Sequence, residues 1–248
     1  MRRRYLCGAL VGVLATAGVL AFGGLGSSAA AQRPASNVRL APVHMSTNST
    51  SSNWSGYAVT GSRFTSVFGS WTEPKVSCAG TAYSSFWVGL DGDTSSTVEQ
   101  TGTDADCSGS TAQYYAWYEM YPKFPVNLPQ PVSPGDKMSA SVTTDGRGNF
   151  VLTISDTTQG WTNQTTAKLK NAKLASAEVI AEAPSGSGGV LPLANFGTVS
   201  FSGAKANGAT LSSSTPNLDE ITMASGPTVK AQPSSISNGG FSVAWKHS

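Results

Sequence analysis

Past about residue 53 the hydrophobic positions come in short runs, alternating or nearly continuous, and each run is stopped by Gly, Pro, Asn, Asp or Ser. Such runs lie at 55–60, 64–71, 84–90, 113–121, 137–144, 149–155, 177–182, 198–202, 220–223 and 241–245. Turn pairs such as Pro134-Gly135, Asp145-Gly146 and Asn238-Gly239 separate them, so the pattern predicts strands. Many short strands without intervening helices predict an all-β fold, an antiparallel sandwich or barrel. No repeat of fixed period interrupts this texture.

The stretch 85–102 organises the rest. It opens on an aromatic strand (Phe86, Trp87, Val88), turns through Asp91-Gly92-Asp93, and returns through Thr97, Val98, Glu99 and Gln100 to Thr101-Gly102. A hairpin here brings a Trp, a carboxylate and a primary amide together. In the run 113–121, alternation puts Gln113, Tyr115, Trp117, Glu119 and Tyr121 on one face. Gln and Glu are costly in a dry core, which favours a groove-lining face.

One segment reads two ways. Residues 171–183 are Ala-rich, with Asn171 as a helix N-cap and Pro184 as a stop, and propensity alone favours a helix. As a strand it puts Glu178, Ile180 and Glu182 on one face. Either period brings Glu178 and Glu182 to the same side.

The ends change the charge. Arg2-Arg3-Arg4, the apolar run 6–22 and the small residues Ser27 to Ala31 form a secretory signal over 1–31 with its cleavage site. Residues 32–52 are polar and without hydrophobic period, and read as a disordered leader or short propeptide. The domain is then 53–248, long enough for one sizeable core. The full chain has 16 basic and 14 acidic residues, but the three signal arginines leave 13 against 14. This excludes the basic surface of a nucleic-acid binder. Low charge density with abundant hydroxyls suits an acid-tolerant surface. Cys7 leaves with the signal, and Cys78 and Cys107 form the expected disulfide of an exported protein.

Elimination narrows the chemistry. The two histidines are His44, in the leader, and His247, next to the C-terminus, so His-based triads, dyads and metal sites are excluded. The sequence contains neither a G-x-S-x-G elbow nor an H-E-x-x-H pair, and Ser202–Lys205 matches S-x-x-K without its companion motifs. No cofactor or metal is expected. Carboxylates, amides and aromatics remain.

Five short motifs in order then carry a resemblance: Asn53-Trp-Ser-Gly-Tyr57, Phe86-Trp-Val-Gly-Leu-Asp-Gly92, Gln100-Thr-Gly102, Ala116-Trp-Tyr-Glu-Met-Tyr-Pro122 and Ala177-Glu-Val-Ile-Ala-Glu182. Over 53–245 the chain resembles the glutamic peptidases (eqolisins, peptidase family G1, formerly A4). The resemblance implies a two-sheet antiparallel β-sandwich of the concanavalin-like jelly-roll type, with 177–182 as a strand. It implies a secreted, acid-active endopeptidase with Gln100 and Glu182 as catalytic pair, Glu178 being the rival glutamate. Trp87, Asp91, Trp117, Glu119 and Tyr121 would bind substrate. Tyr115 stands where many members carry Asp, which leaves the hydrogen bonding around the site open.

A pair of this kind can hydrolyse a peptide. Glu182 would take a proton from water, Gln100 would donate to the oxyanion, and Glu182 would return the proton to the leaving nitrogen. Polypeptides are the expected partners of an extracellular monomer, free of membrane once the signal is removed. Two other readings stay open: a secreted carbohydrate-binding module, and a sandwich glycosidase using Glu119 with Glu182. Sequons stand at Asn48, Asn53 and Asn163.

Overall fold

A computed structural model describes residues 48–61, 63–93 and 95–248. The expected signal and most of the expected leader lie outside the described residues. Among the described residues there is no helix; the chain is a two-sheet β-sandwich.

The front sheet orders Trp54–Thr60, Ser176–Glu182, Ser85–Leu90, Val98–Ser108 and Thr111–Tyr121, every neighbouring pair antiparallel. The back sheet runs from Trp161–Lys168 through Asn149–Asp156, Lys137–Thr144, Ser66–Thr72, Thr198–Ala206 and Phe241–Trp245 to Thr228–Pro233. One strand, Leu218–Ser225, belongs to both. Its first half pairs with Trp54–Thr60 and its second with Thr228–Pro233, with a register shift between Met223 and Ala224. A bulge of this kind lets a strand turn the corner between sheets.

Alternation sorts the two faces of the front sheet. Phe86, Val88, Leu90, Ala177, Val179 and Ala181 point into the sandwich and join Val67, Trp71, Met138, Ala140 and Val142 in the main core. Gly69 of the back sheet faces the front sheet closely: a Cβ there would lie 2.9 Å from Val88 Cγ1, so a larger residue would force a shift.

The segment 177–182 is a strand, against its helical propensity. Its backbone pairs on both sides, with Trp54–Thr60 and with Ser85–Leu90, and every one of its residues is buried. Two complete ladders and the burial of both faces outweigh tenths of a kcal/mol per residue of propensity.

The start of the fold is also earlier than the expected domain boundary at residue 53. Thr50–Ser51, within the expected leader, pairs in parallel with Thr222 and Met223 where the shared strand changes sheets. Ser49 supports the pairing by donating from its amide (2.9 Å) and hydroxyl (2.6 Å) to the Asp219 carboxylate. Short polar residues complete the ladder there although they carry no hydrophobic signal. The expected disulfide forms, joining Cys78 to Cys107 with Cα atoms 5.3 Å apart.

Candidate active site

The outer face of the front sheet carries the chemistry. Trp54, Ala58, Trp87, Val98, Tyr115, Trp117, Ile180 and Ile221 form a second apolar cluster there, with Tyr121 packed at its edge. Gln100, Glu119, Glu178 and Glu182 lie among them and are fully buried. Strand alternation places them: Glu119 shares a face with Trp117 and Tyr121, Gln100 with Val98, and Glu178 and Glu182 with Ile180. The face expected to line an open groove is thus mostly closed, with only Gln113 and Tyr121 keeping partial exposure. Some of its polar groups find partners within the protein and others do not.

Glu182 accepts on both oxygens. Asn53 Nδ2 donates to Oε1 at 3.0 Å and Trp87 Nε1 donates to Oε2 at 2.8 Å. Trp87 stands edge-on to Trp54, ring centroids 5.0 Å apart, which holds the indole in place. Gly102, the glycine of the Gln-Thr-Gly motif, faces Trp87 across the ladder. A Cβ on Gly102 would come within 2.2 Å of the Phe86 carbonyl and 2.5 Å of Trp87 Cβ, so the motif needs glycine for close approach.

Gln100 Nε2 donates to Glu119 Oε2 at 2.8 Å, across directly paired positions of adjacent strands. Gln100 Oε1 and the indole nitrogens of Trp54 and Trp117 are buried without a hydrogen-bond partner in the protein. Such atoms are costly to leave unpaired, and their convergence on one apolar face marks it as a place where a ligand's polar groups are favoured.

Electrostatics separates the two glutamates. Burial drives the Glu182 pKa well above the ordinary carboxylate range, and Glu119 adds to the rise. The Trp87 indole N–H pulls it back, as does the Trp54 indole, which is close but lacks a well-formed hydrogen bond. Glu178 is also pushed well up, first by burial, then by Asp93, Asp91 and Glu99. Strand register puts Gln100 level with Glu178, through Gly89. Yet Glu119, the hydrogen-bond partner of Gln100, is a charge neighbour of Glu182 and not of Glu178. Gln100 is thus linked by a hydrogen bond to Glu119, whose charge acts on Glu182, while the charges acting on Glu178 are Asp93, Asp91 and Glu99.

Asp91 has another occupation. Its carboxylate accepts from the backbone N–H groups of Lys173, Leu174 and Ala175 at 2.7, 2.8 and 2.8 Å, so it anchors the loop leading into the glutamate strand. It is not brought to the Gln100–Glu119–Glu182 group. Trp87 and Trp117 form the buried floor of the site, and Tyr121 is its partly exposed rim.

Tyr115 lies between Asp104 and Asp106, its hydroxyl donating to Asp106 and lying 3.0 Å from Asp104 Oδ2. Ser85 donates to the other Asp104 oxygen at 2.6 Å. The departure at 115 thus places a phenol between two buried carboxylates. Sequence reading gave no role to Asn53, Trp54 or Asp104. Asn53 carried a misleading signal, since Asn53-Trp-Ser reads as a sequon, while its side chain is buried against Glu182.

Comparisons with known proteins agree with this architecture. The family model described as the Peptidase A4 family matches residues 52–245. The chain is 28% identical to aspergillopepsin-2 of Aspergillus niger over 216 residues, 76% of this chain and 77% of that one. It is 36% identical to scytalidopepsin B of Scytalidium lignicola over 111 residues, 44% and 42% of the two chains. Among solved structures it is similar to scytalido-glutamic peptidase with a transition state analog inhibitor, at a TM-score of 0.70 and 26% identity over 79% of this chain and 98% of that one. Aspergilloglutamic peptidase from Aspergillus niger superposes at a TM-score of 0.60, with 26% identity over 66% of this chain and 99% of that one. Family match, relatives and fold coincide over one and the same sandwich: the chain belongs to the Peptidase A4 family and is a glutamic peptidase, a hydrolase.

Proposed function

We propose that the protein is an exported endopeptidase acting on polypeptides on the acid side of neutrality, with Glu182 as general base and then acid and Gln100 as oxyanion donor. The observation that carries this reading is the joint placement of Gln100, Glu119 and Glu182. Gln100 is held by Glu119, and Glu119 is an electrostatic neighbour of Glu182.

The chemistry follows from what each atom has left to give. One N–H of Gln100 goes to Glu119; the other can donate to the oxygen of a scissile carbonyl as it becomes negative. Ionised Glu182 takes a proton from a water molecule, whose oxygen attacks the carbonyl carbon. The tetrahedral intermediate collapses as Glu182 returns that proton to the amide nitrogen and the C–N bond breaks. Gln100 Oε1 has no protein partner and can accept from the same water. The unpaired indole N–H groups of Trp54 and Trp117 suit the carbonyl oxygens of an extended peptide laid along the face.

Glu182 must be ionised to start the cycle, so kcat/KM falls as pH drops through its pKa. On the other side the fold itself weakens as pH rises above the ordinary carboxylate range, because Glu73 and Glu99, raised to about 8 and about 9 chiefly by burial, keep protons that the unfolded chain releases. Trapping tests the direct attack of water. Cleavage of an unfolded protein with hydroxylamine present should give internal peptides bearing free carboxylates only. Peptidyl hydroxamates would reveal a covalent acyl-enzyme and contradict the role given to Glu182.

A further inference from the structure

Glu182 is held by the residue that precedes its own ladder partner, Trp54. Asn53 lies just before the first front-sheet strand, and it donates to Glu182 Oε1 at 3.0 Å from a wholly buried position. The orientation of its amide is fixed from the other end: Ser51 Oγ donates to Asn53 Oδ1 at 3.2 Å, which leaves Nδ2 for Glu182. The same Ser51 oxygen accepts from the backbone N–H groups of Asn53 and Trp54 at 3.1 and 2.9 Å. The Asn53 carbonyl accepts from the amide of Ala183 at 2.8 Å, tying this turn to the end of the glutamate strand. Upstream, Thr50–Ser51 pairs with Thr222 and Met223, and Ser49 is bound to Asp219.

We propose that Asn53 is a positioning residue for Glu182, and that the strap 49–53 which orients it is part of the active site, so that productive maturation cuts the chain before Ser49. This deepens the peptidase reading above and rests on it. The physical basis is the kind of donor supplied. An amide N–H stays protonated at every pH the enzyme meets, so it favours the ionised carboxylate without competing for the proton. With Trp87 on Oε2 and Asn53 on Oε1, the carboxyl plane is fixed. A proton taken from water must then settle on a lone pair these donors leave open. Burial, Glu119 and Asp104 push Glu182 towards its neutral form, whereas a hydrogen bond donated by Asn53 to Oε1 favours the ionised form.

Two readouts test the proposal in the secreted full-length protein, with folding checked by circular dichroism. The first is the acid limb of kcat/KM against pH. Asn53→Ala should move it up by about one pH unit, because a charge-assisted hydrogen bond is lost. Ser51→Ala should move it in the same direction by less. An unmoved limb with only a lower rate or melting temperature would make Asn53 merely structural and overturn the proposal. The second readout needs no turnover. Carboxyl ¹³C NMR of labelled glutamate, with Glu182 identified by the resonance lost in Glu182→Gln, is recorded in a Gln100→Ala background. The Glu182 midpoint should rise on adding Asn53→Ala, and an unchanged midpoint would again overturn the proposal. If the wild type cleaves no protein yet this midpoint moves, the peptidase mechanism fails while the Asn53–Glu182 coupling stands. For the strap, a chain starting at Ser49 should keep the wild-type limb. One starting at Ser52 should show the shifted limb, and a wild-type limb there would overturn the strap's part.

Discussion

Raising the pH from 4 to 7 should destabilise this fold by several kcal/mol, and two buried glutamates make the effect measurable. Glu73 lies wholly buried inside the sandwich, accepting from Trp71 Nε1 and Thr103 Oγ1, and its pKa rises from 4.5 to about 8, chiefly through burial. Glu99 rises to about 9, through burial and then the charge of Asp91. A folded-state pKa above the unfolded value means that the folded chain keeps a proton the unfolded chain releases. The contribution is fully present below pH 4.5 and is lost as pH climbs towards 8 and 9. Between pH 4.5 and 7 each group costs ~3 kcal/mol, at about 1.4 kcal/mol per pH unit. Two such losses are comparable to the ~5–15 kcal/mol by which domains of this kind are stable. Urea unfolding followed by tryptophan fluorescence at pH 4, 5, 6 and 7 measures it directly. The midpoint should fall steadily for the wild type. Glu73→Gln and Glu99→Gln should each remove ~3 kcal/mol of that fall while staying within ~1 kcal/mol of the wild type at pH 4. The remainder belongs to Glu178 and Glu182, which burial also holds protonated. A wild-type midpoint that is flat with pH, or a double variant that declines as steeply, would refute the reasoning.

Three further outcomes follow from single contacts. Asp91→Asn should lower stability by ~2–4 kcal/mol, since an amide cannot accept three backbone N–H groups as a carboxylate does. Its acid limb should stay in place, because Asp91 anchors the 173–175 loop rather than the catalytic group; a moved limb would return it to the site. Tyr115→Phe should cost ~1–3 kcal/mol by removing the phenol between Asp104 and Asp106, seen as a lower melting temperature at pH 5; an unchanged temperature would contradict that contact. Reducing Cys78–Cys107, 29 residues apart in sequence, should cost ~3–4 kcal/mol, measured as the difference in urea stability with and without reductant.

Much of this was legible in the residues, and what was not has physical reasons. The strands 66–72, 137–144 and 149–156 show clean alternation because one face meets the core and the other meets solvent. Val98–Ser108 is eleven residues long, but its pattern was readable only at its start. Both of its faces are buried, one against the apolar core and one against other polar groups, so Glu99, Asp104 and Asp106 sit where hydrophobic residues would signal a strand. Trp161–Lys168 was missed for the opposite reason: it is an edge strand whose sequence is almost entirely polar. Ser176–Glu182 was ambiguous because Ala and Glu favour helices in isolation, whereas its conformation is set by neighbours far away in sequence. At the site, alternation correctly put Glu178 and Glu182 on one face and Tyr115, Trp117 and Glu119 on another strand's matching face. What alternation cannot supply is the link between strands: the hydrogen bond from Gln100 to Glu119 and the effect of the Glu119 charge on Glu182. Nor does it reveal the contact of Asn53 with Glu182, 129 residues away in sequence.

The most direct test of the catalytic assignment is hydrolysis of an unfolded protein from pH 2 to pH 7 by the wild type, Gln100→Ala and Glu182→Gln, each shown to be folded. The account predicts cleavage by the wild type in the acidic range. It predicts a loss of about 10²–10³ in rate for Gln100→Ala, the usual cost of an oxyanion donor, and at least as much for Glu182→Gln. Folded variants that cleave at the wild-type rate would contradict it.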